Sequence, residues 1–316
     1  MKPRIVIAVG ANALVKWAER VQAALPEADV VTRDAERTTA DPQATPADYA
    51  LVWRPHPSFF AEQPRLKAVF NLGAGIDALA AMAEFPRSVP LIRLEDAGMA
   101  GPMAQYALAA VLRYAYRFDE YVRRQVERRW APRRPHAPSQ LEVGVLGMGA
   151  IGSVIATTIA GQGFRVRGYA RTRCDVPGIR SYAGAAELPA FLTGLHVLIN
   201  ALPLTPDIVG ILRREHLERL ADGGHLVNLA RGAHLVEDDL LALLDAGKLA
   251  GATLDVFAQE PLPPEHRFWT HPGITVTPHV SGVTLLDESV QQVAHKIRSL
   301  ERDEPVTGVV DWTRGY

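Results

Sequence analysis

Short apolar runs recur along this chain, separated by stretches in which apolar positions return every three or four residues. The runs Ile5–Val9, Val30–Thr32, Ala50–Trp53, Ala68–Leu72 and Leu91–Ile92 predict strands, and Trp17–Leu25 predicts an amphipathic helix. From about Gly101 to Arg129 one long helical pattern is predicted, with Pro102 in its first turn, as a connection between two domains. A second alternating series follows. Its strands are predicted at Val143–Leu146, Phe164–Ala170, Val197–Ala201, His225–Leu229, Thr253–Phe257 and Ile274–Thr277. Helices are predicted from the glycine-rich turn after Leu146 through Ile159, at Glu237–Ala246, and from Asp287 to about Glu301. Glu237, Asp238 and Asp239 suit the positive end of a helix dipole. Such alternation predicts α/β architecture, with parallel sheets covered by helices on both faces.

The turn Gly147-Met148-Gly149-Ala150-Ile151-Gly152 stands between a predicted strand and a predicted helix. In that setting Gly147 permits the tight turn, Gly149 lets a pyrophosphate approach the backbone, and Gly152 allows close helix–strand packing. The N–H groups opening the helix, from Ala150 and Ile151 onward, favour the anion. The next strand ends at Arg171-Thr172-Arg173, with Arg171 19 positions beyond Gly152. NAD-binding units usually carry an acidic residue near there for the ribose 2′-hydroxyl. Two guanidinium groups and a hydroxyl instead suit a 2′-phosphate, so the expected cofactor is NADP(H) in preference to NAD(H).

Composition narrows the field. A chain of 316 residues, 48% of them apolar, supports one large or two ordinary domains with a real core. A net charge of −1 provides no basic field for nucleic acid or anionic lipid. The local cluster Arg123, Arg124, Arg128, Arg129, Arg133 and Arg134 better suits a solvated or subunit-contact role. Cys174 is the single cysteine, which rules out an intrachain disulfide and fits a cytoplasmic location. Ile5–Val9 is short for a secretory signal, and no run approaches the roughly 20 apolar residues of a membrane span. No metal ligands are assigned.

Three strand ends carry candidate chemistry. Asn228-Leu229-Ala230-Arg231-Gly232 ends one strand in an arginine. Asp255-Val256-Phe257-Ala258-Gln259-Glu260-Pro261 brings two carboxylates into a turn, and Thr277-Pro278-His279 ends the last strand in a histidine. In reduction of a 2-oxo acid, His279 is the expected proton donor, and a hydrogen-bonded Glu260 supports its charged form. Arg231 is expected to bind the substrate carboxylate and polarise the ketone. Asp255 is expected at the cofactor's carboxamide. Leu202, Pro203, Leu229, Ala230, Arg231 and His279 are further expected cofactor contacts.

With those motifs the chain resembles, over essentially its whole length, the D-isomer-specific 2-hydroxyacid dehydrogenases. Within them it is most similar to the bacterial glyoxylate/hydroxypyruvate reductases of the A type. Supporting segments are Asn71–Asp77, Arg93–Met99, Arg171–Arg173 and Arg314-Gly315-Tyr316. The resemblance implies an Arg231–Glu260–His279 triad, NADPH preference and a homodimer. It also implies that the loop Leu72-Gly73-Ala74-Gly75 holds the substrate carboxylate through backbone N–H groups, with Trp53 and Arg54 lining the pocket. The expected fold is two Rossmann-like domains with an active-site cleft between them. Residues 1–98 and 284–316 would form a flavodoxin-like substrate-binding domain, and residues 99–283 a doubly wound NADP-binding one.

The leading expectation is NADPH-dependent reduction of glyoxylate and hydroxypyruvate, in a pocket lined by Trp53 and closed by Met99. Two alternatives stay open: a reductase of bulkier 2-oxo acids such as phenylpyruvate, and a nucleotide-sensing binding protein. Trp130 is a candidate to reach a partner subunit's active site, and Cys174 reads as an ordinary loop thiol.

Overall fold

The computed structural model describes residues 2–282, 284–313 and 315. It divides into two compact units, Met1–Gly98 with Thr284–Tyr316, and Met99–Val283. Two residues of the terminal segment quoted above, Arg314 and Tyr316, lie outside the described residues.

The first unit is built on five parallel strands: β1 (Arg4–Val9), β2 (Asp29–Asp34), β3 (Tyr49–Val52), β4 (Ala68–Asn71) and β5 (Leu91–Arg93). Their order is β2-β1-β3-β4-β5, a flavodoxin-like arrangement that reverses direction between β1 and β3. Side chains alternate across the sheet. Ile5, Ile7 and Val9 face one core with Val21, Val290, Val293, Ala294 and Ile297. Val6 and Ala8 face another with Phe59, Phe60, Phe85 and Val310. The first core is roofed by two helices. Ala11–Ala24 starts six residues before its predicted apolar stripe, and Leu286–Leu300 buries Val290, Val293, Ala294 and Ile297 at helical spacing. Beyond that helix the tail returns to β5: Val309 pairs antiparallel with Ile92, and the Val310 N–H donates to Leu91 O at 2.8 Å.

The second unit has seven parallel strands: β6 (Glu142–Leu146), β7 (Arg165–Ala170), β8 (Arg180–Ala183), β9 (Val197–Asn200), β10 (Gly224–Asn228), β11 (Leu249–Leu254) and β12 (Ile274–Val276). Their order is β12-β11-β10-β9-β6-β7-β8, a doubly wound sheet whose direction reverses between β6 and β9. Central strands β9 and β10 are buried throughout, which explains their nearly unbroken apolar reading.

Two predictions need correction. The single helix expected from Gly101 to Arg129 is two, Ala100–Ala115 and Phe118–Val126. Arg117 between them adopts a left-handed φ of 60°, and its guanidinium holds Glu120 at 2.7 Å and Arg134 O at 3.2 Å. No glycine or proline marks that break in the sequence. The first of these helices packs on helix Ala150–Ala160 within the second unit. The strand expected at Thr253–Phe257 runs earlier, so Asp255, Val256 and Phe257 belong to the following turn. Strand β8 and helix Gly184–Leu192 were not foreseen, the helix being masked by Pro189 in its interior.

Candidate active site

The glycine turn follows β6 directly, at the switch point of the sheet. Its first member, Gly147, has φ 108°, and a Cβ there would lie 2.7 Å from the Ala201 carbonyl carbon. The Gly147 N–H donates to Tyr169 O at 2.9 Å, tying the turn to the end of β7. A Cβ on Gly152 would sit 1.7 Å from Gly147 O, so helix Ala150–Ala160 rests on the turn itself. A Cβ on Gly149 would meet nothing within 4 Å, leaving open space above the turn. The helix has no side-chain N-cap, so its first N–H groups, from Ala150 and Ile151 onward, can serve an anion. These residues fit a dinucleotide pyrophosphate.

Arg171, Thr172 and Arg173 are exposed immediately after β7. Arg173 is already engaged: it donates to Ser181 O at 2.7 Å and pairs with Glu187 at 2.5 Å. Glu187 in turn accepts from the Ala183 N–H at 2.7 Å. Arg173 thus braces the loop against β8. The Cys174 thiol lies 3.8 Å from Met148 O and 3.5 Å from Thr172 O.

Leu202 and Pro203 follow β9, and Leu229, Ala230 and Arg231 follow β10. Both turns are held by side chains that sequence reasoning missed. Asn200 Oδ1 accepts from the Leu202 N–H at 3.2 Å, and Asn228 Oδ1 accepts from the Ala230 N–H at 3.3 Å. Asn228 Nδ2 donates to Arg231 O at 3.1 Å. The Arg231 guanidinium donates to Ala230 O at 2.7 Å.

His279 ends the turn after β12, with Nδ1 2.8 Å from Glu260 Oε2. Glu260 Oε1 accepts from the Phe257 N–H at 3.1 Å, which fixes the carboxylate. The His279 backbone is left-handed, with φ 54°, a conformation that costs a β-carbon-bearing residue free energy unless its surroundings enforce it. Asp255 enforces it. Its carbonyl accepts from the His279 N–H at 2.8 Å, and its side chain from the N–H groups of Val280 at 2.9 Å and Ser281 at 2.8 Å. Thr277 Oγ1 donates to Asp255 Oδ1 at 2.6 Å, so the Tyr106 hydroxyl, 2.6 Å from Thr277 Oγ1, is the donor there. Asp255 has no exposed surface, and its carboxylate accepts these bonds within its own unit. Arg231, Glu260, His279 and every expected cofactor residue therefore lie at the carboxyl edge of one sheet, where α/β proteins bind ligands.

In the first unit, Trp53 and Arg54 follow β3 and Leu72–Gly75 follows β4. The Trp53 ring lies so close to the loop that a Cβ on Gly73 would come within 2.3 Å of it. Arg54 stacks on that ring at 5.6 Å. Asn71 Nδ2 donates to Gly73 O and Gly75 O, both at 2.9 Å. Among the described residues the N–H groups of Gly73, Ala74 and Gly75 have no hydrogen-bond partner, which leaves them able to donate to an anion. Met99 is buried at the N-cap of Ala100–Ala115, and Trp130 is 98% exposed.

The chain is similar to known proteins. The profile described as D-isomer specific 2-hydroxyacid dehydrogenase, NAD binding domain, matches residues 108–281. The chain is 46% identical over 306 residues to glyoxylate/hydroxypyruvate reductase A of Serratia proteamaculans, covering 95% of this chain and 96% of the relative. A D-isomer specific 2-hydroxyacid dehydrogenase from Xanthobacter autotrophicus, solved with NADPH and MES, superposes with a TM-score of 0.94 at 39% identity, covering 100% of both chains. An NADPH-dependent glyoxylate/hydroxypyruvate reductase from Sinorhizobium meliloti, solved with NADP and sulfate, gives 0.89 at 33% identity, again covering 100% of both.

Proposed function

The chain belongs to the D-isomer-specific 2-hydroxyacid dehydrogenases, and we propose that it is an NADPH-dependent reductase of small 2-oxo acids, taking glyoxylate to glycolate and hydroxypyruvate to D-glycerate. The observation that carries this reading is the His279–Glu260 pair, on the sheet edge that also bears a pyrophosphate-ready turn. NADPH, when bound, supplies the hydride. His279 supplies the proton. Its Nδ1 is held by Glu260, so Nε2 is the atom that passes a proton to the ketone oxygen. Glu260 orients the ring and balances its charge before transfer. Arg231 grips the substrate carboxylate and polarises the carbonyl. The Leu72 N–H is taken by Val52 O, so the N–H groups of Gly73, Ala74 and Gly75 are the ones suited to a carboxylate, and Trp53 with Arg54 limits the size of the acid. Gly147–Gly152, Leu202, Pro203, Leu229 and Ala230 cradle the cofactor, while Arg171, Thr172 and Arg173 take its 2′-phosphate.

We place the enzyme in the cytoplasm as a homodimer. Among the described residues no helix is long and apolar enough to cross a membrane. Phe118, Val122 and Val126 recur on one exposed helix face that leads to Trp130, a stripe suited to a second copy. Light scattering behind size-exclusion chromatography should give twice the chain mass; the mass of one chain would refute the dimer.

The activity is tested by following loss of NADPH or NADH with glyoxylate, hydroxypyruvate, pyruvate and phenylpyruvate in turn. Fast NADPH oxidation is expected with the first two. A preference for phenylpyruvate would mean a bulkier acid, and tight NADPH binding without any turnover would mean a nucleotide sensor. His279→Ala should lower kcat by about 10²- to 10⁴-fold while NADPH still binds. Unchanged turnover would remove the histidine from its role.

A further inference from the structure

Asn200, Asn228 and His234 have essentially no exposed surface, and no step of the reaction uses them. Asn200 and Asn228 are the last residues of adjacent strands and stand opposite each other in the sheet. Their hydrogen bonds have one consistent assignment. Asn200 Oδ1 accepts from Leu202, so its Nδ2 carries both remaining bonds, to Asn228 Oδ1 at 3.0 Å and His234 Nδ1 at 2.9 Å. With Nδ1 accepting, the His234 ring carries its proton on Nε2, which donates to Pro203 O at 3.3 Å. Asn228 Nδ2 holds Arg231 O. One connected set of side chains therefore fixes four backbone groups: the Leu202 N–H, the Pro203 carbonyl, the Ala230 N–H and the Arg231 carbonyl.

We propose that Asn200, Asn228 and His234 are positioning residues, a single network that sets both cofactor turns and the base of Arg231 before any ligand arrives. This rests on the cofactor reading given above. The argument is one of placement. Apolar side chains of equal volume could fill this core without the desolvation that three buried polar groups carry, but they could not orient four main-chain groups. The turns so held are the two that flank the sheet at and beyond its switch point. The network also divides by function, since His234 reaches the β9 turn and Asn228 reaches the catalytic arginine.

That division gives the test. His234→Leu should raise the dissociation constant for NADPH about tenfold, with kcat within about threefold. His234→Gln keeps one acceptor and one donor and should recover most of that affinity. Asn228→Asp keeps the oxygen that accepts from Asn200 and Ala230, replaces the donor to Arg231 O by an acceptor that repels it, and should lower kcat about tenfold with NADPH affinity within about threefold. A merely structural network would lower the melting temperature of both variants and leave the folded enzymes' constants alike, which would overturn the proposal. Hydrogen exchange on the wild-type protein decides it even where a variant does not fold. The Leu202 and Ala230 amides should exchange slowly without cofactor; protection that appears only after NADP+ is added would overturn it equally. A wild-type protein that binds no NADPH refutes the cofactor reading instead, and the exchange experiment still judges the network.

Discussion

At the residue scale, the proposed 2′-phosphate site is tested at Arg171, which comes two residues after Tyr169, whose carbonyl holds the Gly147 N–H. Arg171→Ala should raise KM for NADPH much more than for NADH, because only NADPH carries the 2′-phosphate. Equal changes for the two cofactors would refute the assignment. His279 shows how a strained backbone is maintained. Its left-handed turn is fixed by three N–H groups converging on Asp255, and Tyr106 and Thr277 extend that support to helix Ala100–Ala115.

At the scale of the element, the three glycines of the turn are not equivalent. Gly149→Ala adds a methyl to open space, so its melting temperature should stay within about 1 °C of wild type while NADPH affinity falls about tenfold or more. Gly152→Ala drives a methyl into Gly147 O and should destabilise the unit itself. Thermal melts beside cofactor titrations check both; normal NADPH binding by the Gly149→Ala protein would show that the open space is not the pyrophosphate's. This turn was legible because its glycines, strand and helix signal one local geometry. Arg231, Glu260 and His279 were legible because each ends or follows a strand in a distinctive motif. The support behind them was not. Asn200, Asn228 and Tyr106 sit in apolar runs where one polar residue has no periodic signature, and Asn200 pairs with Asn228 on the next strand while Tyr106 pairs with Thr277, 171 residues away. The helix break at Arg117 escaped for a similar reason: it depends on Glu120 and a carbonyl 17 residues away rather than on a local breaker.

At the scale of the molecule, stability should follow pH through buried imidazoles. Burial pushes His225 down from its ordinary 6.5 to about 4, with Asp119 raising it slightly and Arg113 opposing. Its ring is neutral, within 3.0 Å of Thr253 Oγ1. Between those two values the unfolded chain binds more protons than the folded one, so stability is full above pH 6.5 and falls as the pH drops toward 4. The loss is at most about 3 kcal/mol. Urea midpoints measured from pH 7 down to pH 4.5 should decline, and His225→Gln should flatten the part due to this ring. The two units also differ in how their chain is assembled. The second is one continuous stretch, whereas the first draws its final helix and its last strand pairing from residues after 284. During synthesis, Ile5, Ile7 and Val9 must therefore wait nearly the whole length of the chain for Val290, Val293 and Ile297 to cover them. Of the two units, the one begun first is finished last. A nascent chain halted before residue 286 is left with an apolar face that chaperones would have to shield.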